Sequence, residues 1–243
     1  MNDFIDLHMH TIASGHAYNT LYEMVAAAVK NGVRLVGISD HGPAVPGSCD
    51  KSYFSNFKVI PRNLMGLRIL MGCELNIIDY EGEVDLDDSR LQRLDYAIAS
   101  LHIPCCSPGT VLQNTNAYVG VMKNRYVQII GHPDDARYPV DYNTLVAAAA
   151  EHHKLLEVNS SSLHPLSPRK GAWEHYLEML DLCKHYHVSI IIGSDAHCEI
   201  DVGNHVQALA LLKEANFPEE LVINTSIQKL IPYIPVLQDF QEE

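Results

Sequence analysis

The sequence predicts an α/β fold whose parallel strands close into a TIM-like barrel. Short apolar, strand-like runs alternate with helical segments along the chain, and nearly every run is followed by a histidine or an acidic residue. Such alternation is typical of a parallel sheet. Polar side chains after so many different strands favour a closed barrel, because an open sheet concentrates its site at one switch point.

Eight apolar runs are predicted as strands, the last of them as an optional eighth. They are Phe4–Leu7, Leu35–Ser39, Arg68–Cys73, Tyr96–Ser100, Val127–Ile130, Leu155–Val158, Ser189–Ile192 and Leu221–Ile223. Helical composition and apolar spacing predict four helices between the strands. They are Tyr22–Asn31, Asn143–His153, Trp173–His185 and a segment that includes Leu209–Glu214.

One domain is expected to span residues 1–243. No linker, low-complexity tract or repeat divides the pattern, and a chain of 243 residues, 47% hydrophobic, is long enough for one large core. Only residues 235–243 are predicted to form a loose tail.

The charge of the chain argues against long nucleic acids as partners. The chain has 17 Lys and Arg against 30 Asp and Glu, and the resulting formal net charge of −13 repels a phosphodiester backbone. The six cysteines form no CxxC pair and the N-terminus shows no signal pattern, so a cytoplasmic location is expected. No apolar stretch approaches the roughly 20 residues of a membrane span, and no membrane association is expected.

The residues that follow the strands are of the types that bind metal ions. In an extended segment His8 and His10 face the same side and can reach one ion, and His16 strengthens this otherwise weak signal. Asp195 and His197 repeat the spacing, with the mixed oxygen and nitrogen character that suits Zn²⁺, Mn²⁺ or Fe²⁺. The nine candidate ligands are His8, His10, His16, His41, Glu74, His102, His132, Asp195 and His197.

Several of these residues allow other interpretations. Glu74 could bridge two ions, because a carboxylate has two oxygens, or it could be a surface charge at a strand end. Asp40 could cap a helix or orient its neighbour His41 from outside the ligand set, and the second role is favoured. Each histidine alone could be a core-edge residue, but independent core histidines have no reason to follow strand after strand.

Together these residues resemble the motifs of the PHP (polymerase and histidinol phosphatase) superfamily, especially its small stand-alone YcdX-like phosphatases. The match covers most of the chain. The motifs are Asp6-Leu-His8-Met-His10, Ser39-Asp40-His41, Gly131-His132-Pro133 and Ser194-Asp195-Ala-His197, with Gly72-Cys-Glu74 and Ser100-Leu-His102 between them.

The resemblance implies a distorted (β/α)7 barrel that holds three divalent ions at the C-terminal ends of its strands. Zinc is expected first, with manganese or iron as alternatives. It also implies how the ligands are shared among the ions. His8, His10, Glu74 and Asp195 would surround one ion, Glu74 would bridge to a second held by His102 and His132, and His16, His41 and His197 would hold the third.

The expected activity is hydrolysis of a phosphomonoester of a small molecule by a metal-activated hydroxide. Three residues after the strand at Leu155–Val158 are candidates for binding the substrate. Arg169 could grip phosphate oxygens as a fork, while Asn159 and Ser161 could donate hydrogen bonds. The alternative is a solvated loop ahead of a helix. The group that protonates the leaving group stays open.

Two other functions remain as alternatives. A PHP nuclease or phosphodiesterase acting on short oligonucleotides or nucleotides would use the same chemistry, but it needs a path of basic or aromatic residues, and the sequence shows no such interleaved stretch. A non-enzymatic metal-binding or polymerase-accessory module is disfavoured, because no ligand position is missing and no polymerase region is fused. A homo-oligomer such as a trimer would fit the resemblance.

Overall fold

The structure, a computed structural model, describes residues 4–239. Seven parallel strands lie side by side in chain order and form a nearly closed barrel. They are β1 (Ile5–Asp6), β2 (Leu35–Ile38), β4 (Leu67–Asn76), β5 (Tyr96–Ser100), β6 (Ile129–Ile130), β7 (Leu155–Asn159) and β8 (Ile190–Gly193). A short strand that the sequence did not predict, β3 (Asn63–Leu64), pairs antiparallel with β4. The predicted seven-stranded TIM-like barrel is confirmed.

The first and last strands meet just beyond their C-terminal ends. The backbone N–H of Asp195 donates to the carbonyl of His8 at 2.8 Å, and the N–H of His10 donates to the carbonyl of Ala196 at 2.9 Å. This pairing brings the segments after β1 and β8 together at the C-terminal face of the barrel.

Eight α-helices connect the strands or follow them within the described residues. They are α1 (Leu21–Lys30), α2 (Lys51–Ser55), α3 (Asp88–Leu91), α4 (Val111–Met122), α5 (Tyr142–Glu151), α6 (Ala172–Tyr186), α7 (Val206–Glu214) and α8 (Ile227–Leu230). The four predicted helices correspond to α1, α5, α6 and α7. The 12-residue α4 was missed, although it begins with a capping box in which the Thr110 side chain and the Gln113 side chain each accept the other residue's backbone N–H.

The predicted eighth strand at Leu221–Ile223 is wrong. Two 3-10 turns, Glu219–Leu221 and Ile223–Thr225, flank Val222, which alone makes a bridge to Ile190. The apolar residues of this region serve a different purpose. Ile223, Ile227, Leu230, Ile234 and Leu237 pack in one core cluster with residues of the barrel strands, including Ile5, Leu35, Leu70, Ile129 and Ile191.

The first residues of the expected loose tail are packed against the barrel. Pro235–Leu237 form a 3-10 turn, and Leu237 is fully buried in the core cluster just described. Burial of one such side chain contributes about 1.5–3 kcal/mol, which ties this part of the segment to the barrel. Residues 240–243 of the predicted tail lie outside the described residues.

No helix among residues 4–239 combines the length and the apolar character needed to cross a lipid bilayer.

Candidate metal centre

Glu74 lies in the middle of the predicted ligands. Its side chain is fully buried, so the alternative of a surface charge is excluded. Five imidazole nitrogens lie near its two oxygens. Oε1 is 2.8 Å from Nε2 of His132, 3.3 Å from Nε2 of His102 and 3.4 Å from Nε2 of His8, while Oε2 is 2.7 Å from Nδ1 of His41 and 3.6 Å from Nε2 of His10. The two oxygens therefore face different groups of donors, as a bridging carboxylate would.

Asp195 is a second acidic residue of the same cluster. Its Oδ1 lies 3.2 Å from Nε2 of His10 and 3.6 Å from Nε2 of His8. Its backbone is left-handed, with φ of 55°, and His132 is also left-handed, with φ of 28°. Such strain in residues other than glycine costs free energy and is typical of functional sites.

The remaining predicted donors complete the cluster at its solvent side. Nε2 of His16 and Nε2 of His197 lie 3.0 Å apart, and the rings of His16 and His41 stack with centroids 4.9 Å apart. The barrel thus brings all nine predicted residues to one end. Ligand atoms of four overlapping triplets lie within 4.8 Å of one another: His10 with His41 and His197, His8 with His132 and Asp195, His8 with His10 and Glu74, and His41 with Glu74 and His102.

These triplets do not follow the sharing of ligands that the resemblance implies. The ring of His10 lies 4.3 Å from the rings of both His41 and His197, so His10 belongs as closely to that group as to the group of His8. The distribution of the nine donors among individual ions therefore stays a prediction.

Five of the histidines are held by their Nδ1 atoms. The acceptors are Glu157 Oε1 for His8 (2.6 Å), Ser14 Oγ for His10 (3.1 Å), the Ser14 carbonyl for His16 (3.1 Å), Asn76 Oδ1 for His102 (2.7 Å) and the Asp195 carbonyl for His197 (2.9 Å). These acceptors favour the tautomer with the proton on Nδ1. The lone pair of each Nε2 then points into the cluster, as a metal ligand requires.

The same histidines leave buried polar atoms without hydrogen bonds. Within residues 4–239, Nε2 of His8, His10 and His102 has no hydrogen-bond partner, and the same holds for Nδ1 of His41 and Oε2 of Glu74. An unsatisfied buried polar atom is costly, and its presence in a native structure calls for an explanation. Cations bound by the triplets of this cluster would give these atoms partners, so the residues fit a metal site.

Electrostatics keeps the acids of the cluster in the form that binds metal. Burial alone would raise the pKa of Glu74, but the imidazoles of His102, His8 and His41 hold that pKa well below its ordinary value. The pKa of Asp195 is lowered in the same way, with His8 and His10 overcoming the effect of burial. Burial and the neighbouring His41 and His197 lower the pKa of His10, which favours a neutral ring. Burial alone would lower the pKa of His8, but Glu157, Glu74 and Asp195 raise it well above its ordinary value, so a metal ion binding there would displace a proton. Carboxylate and neutral imidazole are the ligating forms.

Asp40 lies outside the ligand set, and its contacts with the cluster are indirect. Among the described residues Asp40 makes no hydrogen bond to the imidazole of His41, and it does not cap a helix. Its carboxylate accepts from Thr11 N–H, Thr11 Oγ1, Ser14 Oγ and Tyr53 OH at 2.7–2.9 Å. Because Ser14 donates to Asp40, its Oγ is left to accept from Nδ1 of His10 and from the backbone N–H of His41. Asp40 thus acts on the cluster through Ser14.

Sequence reasoning missed Glu157, which supports two donors. Oε1 of this buried residue of β7 contacts His8, and Oε2 accepts the backbone N–H of His132 at 2.8 Å. One feature of the sequence indicates such a role: Glu157 is an acidic residue in a strand that is otherwise mostly apolar. Gly193 makes room for it, since a Cβ at that position would lie 2.1 Å from Oε1 of Glu157.

The three residues predicted to bind substrate lie in different surroundings. Ser161 and Arg169 line a cavity of about 660 Å³ that Asp195 and His197 also line. Asn159 is fully buried, and its amide donates to Asp195 Oδ2 at 3.1 Å while its Oδ1 accepts from Ser162 N–H at 3.0 Å. The amide also donates to Glu157 Oε2 at 3.3 Å, so this buried side chain holds Asp195 and Glu157 and exposes no group to a substrate, in contrast to its predicted role.

Comparisons with known proteins agree with this architecture. The sequence model of the PHP domain family matches residues 6–163. A probable phosphatase of Caldicellulosiruptor saccharolyticus is 46% identical over 230 residues, which cover 95% of this chain and 95% of that protein. A probable phosphatase of Clostridium botulinum is 43% identical over 234 residues, covering 96% of this chain and 95% of that protein.

Solved structures with the same fold are more distant in sequence. The crystal structure of histidinol phosphate phosphatase from Lactococcus lactis subsp. lactis, complexed with zinc, L-histidinol and phosphate, superposes with a TM-score of 0.59. The superposition covers 89% of this chain and 95% of that chain, at 17% sequence identity. At that identity the likeness concerns the fold.

Proposed function

Because this chain belongs to the PHP domain family, we propose that it is a phosphoric ester hydrolase, namely a metal-dependent phosphatase acting on a phosphomonoester of a small molecule. Relatives that are 43–46% identical over nearly their whole length carry the name probable phosphatase. The single observation that carries the proposal is the convergence of the nine donors at one end of the barrel, where four buried imidazole nitrogens and one oxygen of Glu74 have no hydrogen-bond partner within residues 4–239.

We propose that the nine residues hold three divalent ions, zinc first, with manganese or iron as alternatives. Nine donors are too many for one ion of four to six ligands, and the two oxygens of Glu74 face different donors. A nitrogen-rich shell with a few carboxylates suits these metals. When bound, such ions supply Lewis-acid stabilisation of phosphoryl charge and lower the pKa of water.

Arg169 is suited to holding the phosphate beside this centre. Its Nη1 lies 2.9 Å from Ser162 Oγ and 3.4 Å from Asp195 Oδ2. Burial disfavours the charged guanidinium, but Asp195 and Asp134 overcome this and raise the pKa of Arg169 above its ordinary value. A permanent planar cation at the edge of the cavity can bind phosphate oxygens through its remaining N–H groups, with Ser161 as a further donor on the same wall.

A monoester substrate is favoured over a diester by the shape and charge of the protein. The cavity of about 660 Å³ beside the centre has the size of a small-molecule site, and the net charge of −13 opposes the approach of an extended polyanion. A nuclease or phosphodiesterase acting on short oligonucleotides or nucleotides remains the alternative, because the same donors suit the cleavage of diesters.

Hydrolysis of p-nitrophenyl phosphate and of bis-p-nitrophenyl phosphate, each with and without added Zn²⁺ or Mn²⁺, tests the proposal. The proposal predicts metal-dependent turnover with a preference for the monoester. A preference for the diester would favour the phosphodiesterase. Inactivity on both substrates in the metal-loaded protein would contradict the proposal.

A further inference from the structure

We propose that the substrate carries a carboxylate in addition to its phosphate, and that Arg137 binds this carboxylate. The inference rests on the proposed phosphatase function and narrows it to a class of substrates. It concerns the wall of the cavity beside the candidate metal centre. Arg137, a second arginine that has no role in the proposed chemistry, lies in this wall.

Arg137 and the candidate metal centre share one cavity. Arg137, Arg169, Asp195 and His197 all line the space of about 660 Å³. Cavities of this size accommodate whole small molecules. With the phosphate held by Arg169 and by metal ions beside Asp195 and His197, the rest of the substrate would lie within the volume that Arg137 borders.

The guanidinium of Arg137 is already oriented for binding. Asp135 is only 6% exposed, and its carboxylate accepts from Nε of Arg137 at 2.9 and 3.0 Å and from Nη2 at 2.6 Å. No acceptor within residues 4–239 engages Nη1, and the Arg137 side chain remains 45% exposed. Ion pairs at surface turns commonly contribute little. Here, however, a buried acid fixes one edge of the guanidinium and leaves the other edge available at the cavity, so little entropy is lost on binding an anion.

The other polar groups of the cavity favour a carboxylate over a second phosphate. Asp201 also lines the cavity, and Asp135 offsets the charge of Arg137, so a second dianion would meet little net positive charge. His164 adds a donor without adding charge. Its Nδ1 accepts the backbone N–H of Leu166 at 3.2 Å, which leaves the proton of a neutral ring on Nε2. A carboxylate, which is planar and carries one negative charge, is therefore a better match to these groups than a phosphate.

The body of the substrate is expected to be apolar and compact. Leu166 and Val206 line the cavity and are 86% and 66% exposed. An aryl or short aliphatic group between the phosphate and the carboxylate would cover part of this apolar surface. Carboxylated aryl phosphates are therefore suitable probes.

The test compares three aryl phosphates on the metal-loaded full-length protein. They are 3-carboxyphenyl phosphate, 3-carbamoylphenyl phosphate, in which the carboxylate is replaced by an uncharged amide, and 3-(phosphonomethyl)phenyl phosphate, which presents a second dianion. The quantity of interest is the ratio of kcat/KM between the carboxylate probe and the carbamoyl probe. It is measured for the wild type, Arg137→Gln, Arg137→Lys and Arg125→Gln, the last being an exposed arginine outside this cavity.

We expect the wild type to prefer the carboxylate probe about 10-fold, as a charged hydrogen-bonded contact typically provides. The ratio falls to about 1 in Arg137→Gln, takes an intermediate value in Arg137→Lys, which keeps the charge but loses the planar fork, and stays at the wild-type value in Arg125→Gln. An equal rate on both probes in an active wild type would overturn the inference while leaving the phosphatase proposal in place. A preference for the phosphonate probe would overturn the choice of a carboxylate. Absence of turnover on all three probes and on p-nitrophenyl phosphate would instead contradict the proposed function.

Discussion

Oε1 of Glu157 accepts a hydrogen bond from Nδ1 of His8 at 2.6 Å, and both side chains are almost completely buried. The contact fixes which nitrogen of His8 faces the candidate metal centre. The other oxygen of the same carboxylate holds the backbone of His132, so one acid of β7 positions donors that follow two other strands. Groups that orient metal ligands in this way commonly change metal affinity by 10–100-fold when they are replaced.

Glu157→Gln is predicted to weaken metal binding about 10–100-fold. A glutamine can accept from His8 with its carbonyl, but its NH₂ group then faces the backbone N–H of His132, and two donors oppose each other. The measurement is competition for Zn²⁺ with a chromogenic chelator. Glu214→Gln, at the exposed end of α7, is the control and should bind as the wild type does. Unchanged affinity in a folded Glu157→Gln protein would refute the positioning role.

Gly193→Ala is predicted to disturb the same contact by sterics. The new Cβ would lie 2.1 Å from Glu157 Oε1 and 2.8 Å from Cβ of His8, so side chains must shift at a cost of about 1–3 kcal/mol in the free energy of unfolding, and Zn²⁺ binding weakens as well. Gly32→Ala is the control that introduces backbone strain without steric crowding. Gly32 has φ of 76°, and no atom beyond its own chain neighbours lies within 4 Å of the position that its Cβ would take. This substitution should cost about 1–2 kcal/mol and leave Zn²⁺ affinity unchanged. Equal Zn²⁺ affinity in the two variants would contradict the claim that a side chain at position 193 displaces Glu157.

His132→Ala is predicted to lower kcat/KM for p-nitrophenyl phosphate about 100-fold or more, because metal ions contribute several kcal/mol to transition-state stabilisation and each 1.36 kcal/mol is about tenfold in rate. The fold should persist. His153→Ala is a matched control, since His153 is also left-handed, with φ of 53°, and is exposed between α5 and β7. Both variants place an alanine at a positive φ, and only His132→Ala should lose activity. Wild-type turnover by metal-loaded His132→Ala would refute its assignment as a ligand.

Asp6→Asn is predicted to reduce stability in a pH-dependent way. The buried carboxylate accepts the backbone N–H groups of His8, Ser194 and Gly203. Burial opposes its ionisation, but His205 and these hydrogen bonds lower its pKa below the ordinary value of 3.8. A lowered pKa in the folded state means that the contribution to stability is complete above about pH 3.8 and is lost as the pH falls below it.

Urea unfolding of metal-free protein at several pH values measures this effect. At pH 7 Asp6→Asn should lower the free energy of unfolding by about 1–3 kcal/mol, and the difference from the wild type should shrink as the pH falls below about 3.8. Asp181→Asn, at an exposed position of α6, should change little at any pH. A difference for Asp6→Asn that does not vary with pH would contradict the ionised, hydrogen-bonded state of Asp6.

The barrel could be predicted from the sequence because fully buried parallel strands are continuous apolar runs. Tyr96–Ser100 was predicted with the bounds that the structure shows, and β2, β7 and β8 differ by one or two residues. The apolar run at Leu221–Ile223 has the same composition, yet it lies in two 3-10 turns, and Ile223 packs against residues of the barrel strands without forming a strand. An apolar composition therefore predicts that a segment is buried. It does not predict whether the segment pairs with a neighbouring strand, because that depends on the tertiary fold.

The donors were predictable because residues after parallel strands converge, whereas their supporting contacts were not. Asp40 stands next to His41 in sequence but binds Thr11 and Ser14, which lie 29 and 26 residues away in the chain. Asn159 is a polar residue at the end of a strand, which is the basis for its predicted contact with substrate, yet its side chain is fully buried and donates to Asp195. Neighbourhood in sequence does not determine which side chains share a hydrogen bond.

The metal content of the purified protein, measured by elemental analysis after reconstitution and removal of loosely bound ions, tests the central claim most directly. The nine converging donors predict three divalent ions per chain, and removal of these ions by a chelator should abolish phosphatase activity until Zn²⁺ or Mn²⁺ is returned. Fewer than two bound ions after reconstitution, or full activity in the metal-free protein, would contradict the claim.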